Sequence, residues 1–127
     1  MKFNEHGYYI STPFHYEDWH AGVKIERLNY LAFYFNNEGI LYRKGKTNTT
    51  IYTKDDFIKS GAKGEYTLAN NIIEYVFKKG QEFEIRRQLT ILGLNLFSDQ
   101  DKDEYRWTPF PTKEENDKNT PSQKIDS

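Results

Sequence analysis

Three groups of residues in this 127-residue chain could carry chemistry. The first is His15-Tyr16-Glu17-Asp18-Trp19-His20, where two imidazoles and two carboxylates offer suitable metal-ligand types. The His-x4-His spacing differs from H-E-x-x-H, which sets two His and a Glu on one helical turn. On a loop such a pair has no enforced geometry, so an exposed aromatic segment is the plainer reading and no metal is expected. The second is Arg87, which alternates onto the same strand face as Phe83, Ile85 and Leu89 and so points into any closed barrel. A buried guanidinium needs an anionic or multiply hydrogen-bonded partner. An internal Glu or Tyr could supply that partner, as could a ligand, and a bulge could turn the side chain outward instead.

The third group is Arg43-Lys44-Gly45-Lys46 beside Tyr42, which would suit a surface for single-stranded nucleic acid. The chain has 18 basic and 19 acidic residues, so the overall field cancels and nucleic acid is not an expected partner. Covalent catalysis finds no support in the motifs. There is no cysteine, no G-x-S-x-G elbow and no phosphate-cradling glycine loop. The pairs Asp55-Asp56 and Glu114-Glu115 fall in a helix cap and a polar tail, where carboxylates are ordinary acids. The expectation is a protein that is not an enzyme and holds no cofactor.

The elements that must position these residues are mostly strands. Hydrophobic residues make up only 36% of the chain, but 10 Tyr, 9 Phe and 2 Trp supply large side chains that favour pleated, half-buried surfaces. Leu28 to Phe35 reads as a long strand, Asn36-Asn37-Glu38-Gly39 as a turn, and Ile40 to Tyr42 as the returning strand. Glu65 to Leu68 and Ile72 to Phe77 form a second hairpin around Asn70. Glu82 to Leu89 alternates cleanly as the next strand, Leu94-Asn95-Leu96 begins another, and Glu104 to Phe110 is the last. Tyr8 to Ser11 opens the series. Thr53 and Asp56 fit a capping box for one short helix that ends at Gly61 or Gly64. Residues 11–26 read as a long loop, with one helical turn after Pro13 as the alternative. The fold class is all-β: a single antiparallel meander of about eight strands closing into a barrel, with one short helix. Residues 1–110 form this domain and 111–127 a polar tail too poor in apolar residues to order itself.

The pattern resembles lipocalin-like domains of the calycin group, particularly small uncharacterised bacterial ones. Gly7-Tyr8-Tyr9 is similar to the Gly-x-Trp opening of the first lipocalin strand, with Tyr9 in place of Trp. Tyr30 to Ile40 resembles the long second strand and its turn, and Gly64-Glu65-Tyr66 a later strand. Leu94-x-Leu96 and Tyr105-x-Trp107 resemble the closing strands. The resemblance implies that residues 11–26 cover the barrel mouth, that the helix near Thr53 is a second cover, and that Arg106 packs over Tyr9. By analogy with fatty-acid-binding barrels, an inward Arg87 would receive a ligand carboxylate.

The expected function is non-enzymatic binding of a small apolar or lipid-like molecule. Leu31, Phe33, Phe35, Tyr66, Tyr75, Phe77, Phe83, Ile85, Arg87, Leu96 and Trp107 would line its site, together with Ile73, Leu94 and Tyr105. A barrel filled by its own side chains, acting as a structural or interaction module, is the alternative. A barrel enzyme with residues at the mouth is the third reading. No apolar run is long enough for a membrane-spanning helix. The first residues contain no signal-peptide core, so the expectation is a cytoplasmic protein or an exported one already processed.

Overall fold

Alternation and turn chemistry build nine antiparallel strands within residues 2–111, the part of the chain described by the computed structural model. They are β1 (Gly7–Ser11), β2 (Phe14–His20), β3 (Val23–Phe35), β4 (Ile40–Thr47), β5 (Ala62–Ala69), β6 (Ile72–Phe77), β7 (Ile85–Gly93), β8 (Leu96–Ser98) and β9 (Glu104–Pro109). The one helix, α1, spans Lys54–Ser60. The expected polar tail from residue 112 onward lies outside the described residues.

Neighbouring strands follow chain order from β2 to β9, and β1 closes the ring by pairing with both β9 and β3. Tyr9 faces Trp107 on one side and Phe33 on the other. Eight strands therefore make a closed barrel, which removes the free sheet edges that promote aggregation. β2 is the extra strand. It pairs along the first half of β3, whereas the pairing of β3 with β4 begins only at Asn29.

Residues 11–26 are thus neither a loop nor a helical turn, as the sequence had suggested. Ala21 (φ 52°) and Gly22 (φ 79°) form a two-residue turn with both residues left-handed, the geometry whose twist matches a β-hairpin. Phe14 to His20 then pairs residue by residue with Val23 to Asn29. The six positions of β3 before Asn29 project beyond β4 as a two-stranded arm of roughly 20 Å.

The barrel interior holds Phe3, Tyr9, Phe33, Phe35, Leu41, Ile73, Tyr75, Phe77, Leu89, Phe97 and Tyr105, all buried. A second buried layer lies outside the wall: Tyr8, Ala32, Tyr34, Tyr52 and Phe57. Both faces of Ala32 to Phe35 are consequently covered, which explains why that stretch is apolar throughout and does not alternate. The helix belongs to this outer layer and does not cover a barrel mouth. Its Phe57 stacks on Tyr52 at 5.4 Å and lies 5.9 Å from the Tyr34 ring.

The capping box is present as the sequence predicts. The Asp56 backbone N–H donates to Thr53 Oγ1 at 3.1 Å, and the Thr53 N–H donates to Asp56 Oδ2 at 2.8 Å. Lys46 Nζ also lies 2.7 Å from Asp56 Oδ2, tying the helix to β4. Burial works to raise the Asp56 carboxyl, but the hydrogen bonds from Lys46 and Thr53 outweigh it and hold the group below its ordinary value.

Candidate functional site

One end of the barrel is plugged by the chain's own N-terminal segment. Phe3 stacks on Phe35 at 4.6 Å and meets Tyr9, Tyr66 and Phe97 edge-on. Asn37 latches it, because Asn37 Oδ1 accepts from the Phe3 N–H and Nδ2 donates to the Phe3 carbonyl. Further in, Tyr9 stacks on Phe97 at 3.9 Å, and Phe33 packs edge-on against both Tyr75 and Tyr105. These rings are in contact with one another across the middle of the barrel. Burial pushes the Tyr9 phenol up to about 12, and its hydroxyl donates to the Leu94 carbonyl at 3.2 Å.

Of the residues expected to line a ligand site, Phe33, Phe35, Tyr75 and Phe77 are in this core, with Leu31, Tyr66, Ile85 and Trp107 packed against it. Three expectations are overturned. Phe83 is 69% exposed, because the chain from Lys78 to Glu84 is a loop and β7 begins only at Ile85. Leu94 is 82% exposed in the turn before β8. Leu96 faces outward, since it pairs with Arg106, while Phe97 pairs with Tyr105 on the inner face. A register shift between Ile91 and Gly93 reverses the alternation expected there. Ile73 and Tyr105 are buried inside, as the sequence predicts.

Arg106 does not pack over Tyr9. It sits on the outer face opposite Ile10 and pairs with Glu104 at 3.1 Å. The indole of Trp107 occupies the space over Gly7, where an added Cβ would lie 2.6 Å from the ring. His15 and His20 fall on opposite faces of β2, so the metal-like cluster is never assembled. His20 instead meets Asp18 at 3.0 Å.

The end of the barrel away from Phe3 carries the polar groups that face inward. Arg87 lies directly across from Tyr75 in the β6–β7 pairing, on the inner face as the alternation predicts, but its side chain reaches solvent. The sequence reading missed its companion. Arg43 pairs with Phe33, which puts it on the inner face too, and its guanidinium lies 4.5 Å from the centre of the Phe77 ring. The basic run is therefore split between faces, with Arg43 inside and Lys46 on the outer layer over Tyr52. The signal for Arg43 was available in strand parity, since it lies two residues beyond the inward Leu41.

A cluster the sequence reading did not single out is Asp99, Asp101 and Asp103, whose carboxylates lie within 4.8 Å of one another. Asp99 Oδ1 accepts the backbone N–H groups of Asp101 and Asp103, and Oδ2 accepts the Tyr105 hydroxyl. That pattern accounts for the cluster as a loop staple. Two surface depressions, of about 330 and 410 Å³, share a floor of Ile40 and Val76 on the outside of the barrel.

The fold defines an eight-stranded antiparallel barrel with one added strand and one outer helix. Comparison with family models, curated proteins and solved structures finds no match for this chain. Among the described residues no helix is long and apolar enough to cross a membrane.

Proposed function

We propose that this chain is a non-enzymatic interaction module: a barrel filled by its own aromatics that presents the β2–β3 arm to a protein partner. The observation that carries the reading is the contrast between the two regions. The interior is occupied by touching rings, while the arm leaves Phe14, Tyr16, Trp19 and Val23 exposed, Trp19 at 63% and Val23 at 61%. An isolated two-stranded ribbon is marginal in water. Large apolar side chains concentrated on one are better explained by a contact that covers them than by folding of the barrel. The strand arrangement also supports a lipocalin-like origin for the barrel. The meander order, the closure through β1 and the glycine of that strand lying under Trp107 are what favour it.

The test is a photo-crosslinking amino acid placed at position 19 in the protein's native cells, with position 94 as control. Leu94 is more open to solvent still, at 82%, and lies at the opposite end of the barrel. A discrete adduct from position 19 and none from position 94 is the expected result. Identical patterns from the two positions would sink the proposal. The carrier reading, an apolar or lipid-like molecule in the barrel, keeps one observation in its favour: Phe3 plugs only one end. A stoichiometric co-purifying apolar molecule in native mass spectra would favour it over the interaction module.

A further inference from the structure

We infer that an extended basic segment of a partner protein adds as a strand to the free edge of β2, a reading that rests on the arm being the contact surface. β2 pairs with β3 alone. Leu28, which stands opposite His15, sends both of its backbone groups the other way. Its N–H donates to Asn48 Oδ1 at 3.0 Å, and its carbonyl accepts the Asn48 N–H at 2.7 Å. In an antiparallel ladder this makes His15 and Leu28 a pair without mutual hydrogen bonds, and the positions alternate from there. His15, Glu17 and Trp19 therefore direct their own N–H and C=O groups away from β3. The Trp19 N–H takes Asp18 Oδ1 at 2.9 Å. Among the described residues, the groups of His15 and Glu17 stand open along the edge. Proteins blunt such edges with proline, lysine or a bulge. Phe14 to His20 contains neither residue, and its register with β3 runs unbroken. In a chain whose other strands close into a ring, this edge is a template for a partner's strand.

Side chains set the chemistry of that strand. Glu17 faces Glu26 directly across the ladder, where like charges destabilise the pair. Lys24 Nζ lies 2.7 Å from Glu17 and 3.9 Å from Glu26, so one cation answers two carboxylates. A depression of about 140 Å³ lies beside the edge, lined by His15, Tyr16, Glu17 and Glu26. Residues directly opposite in a ladder share a face of the sheet. A guest residue hydrogen-bonded to Glu17 thus points over the two carboxylates, where a Lys or Arg supplies the missing charge. The next guest residue crosses to the face of Phe14 and Tyr16, two exposed rings against which an apolar side chain packs. The fitting segment alternates basic and apolar residues. Main-chain bonds supply its affinity and the depression its selectivity.

The experiment is titration of the full chain with the acetylated, amidated peptide Lys-Val-Lys-Val-Lys, read from backbone amide resonances and hydrogen exchange. Saturable shifts centred on His15 and Glu17, with slowed exchange at both, are expected. The Glu-Val-Glu-Val-Glu counterpart should bind at least about fivefold more weakly, as exposed ion pairs allow. The basic peptide methylated on the backbone nitrogens of its Lys residues should not bind. Glu17→Lys should reverse the preference between the two unmethylated peptides. His15→Pro removes an N–H that the arm does not use, and should weaken binding while the arm's own ladder stays protected. Equal binding of the acidic peptide, or undiminished affinity of the methylated one, would overturn the inference. So would a discrete adduct from position 19 with no peptide binding, an outcome that leaves the arm as the contact surface. Protection of His15 and Glu17 that grows with protein concentration in the absence of peptide would overturn it in favour of a second copy of this chain.

Discussion

Replacing Phe3 by Ala tests whether the barrel is held together by its own plug. Phe3 is 4% exposed and touches four other rings. Phe-to-Ala changes in cores cost about 3–5 kcal/mol, combining lost transfer energy with the cavity left behind. The site is at the barrel rim, where water can enter and the N-terminal segment can relax, so the low end applies: about 3 kcal/mol. For a domain of this size each kcal/mol moves the melting temperature by roughly 4–6 °C, giving a fall of roughly 12–18 °C. Urea melts followed by far-UV circular dichroism measure the loss, and an environment-sensitive apolar dye measures the opening. The variant should bind dye that the parent does not. A loss below about 1 kcal/mol with no gain in dye binding would refute the view that Phe3 seals a packed interior.

Asp56→Ala removes both the reciprocal cap and the Lys46 partner, and should cost about 1–2 kcal/mol at neutral pH. Because the folded carboxyl is held below its ordinary value, its contribution is complete above the unfolded value of 3.8 and is lost as pH falls through the lower folded value. The parent and variant stability curves, from urea melts across pH 2–7, should therefore converge at the acid end. Gly64→Val puts a side chain against the Phe77 ring and within 2.6 Å of the Val76 carbonyl oxygen. Overpacking of that kind costs about 1–3 kcal/mol, and the Phe77 methine resonances should shift with it.

The sequence by itself determined the strand grammar, the hairpin turns and the capped helix, because each depends on local chemistry. Asn36 Oδ1 accepts the backbone N–H groups of Glu38 and Ile40, the short-range bonding that made the turn legible. Strand parity was equally local, and it placed Phe33, Phe35, Tyr75, Phe77 and Arg87 on the inner face. The arm was harder to see, since Glu17-Asp18 breaks the alternation of Phe14 to His20 and neither face is buried. Pairing with β3, not burial, makes it a strand. The inversion of Leu96 and Phe97 came from an irregular register near Gly93 that no periodicity could announce.

Long-range contacts decided the rest. Phe3 became a plug only because Asn37, 34 residues later, latches it. The helix became an outer buttress because Tyr8 and Tyr34 present rings on the far side of the wall. Arg43 and Arg87 take the same inner face from different strands because the meander sets β4 and β7 on either side of β5 and β6. Spacing along the chain records which face a residue takes. Which residues then share that face across the barrel is set by strand order and by the packing of large rings.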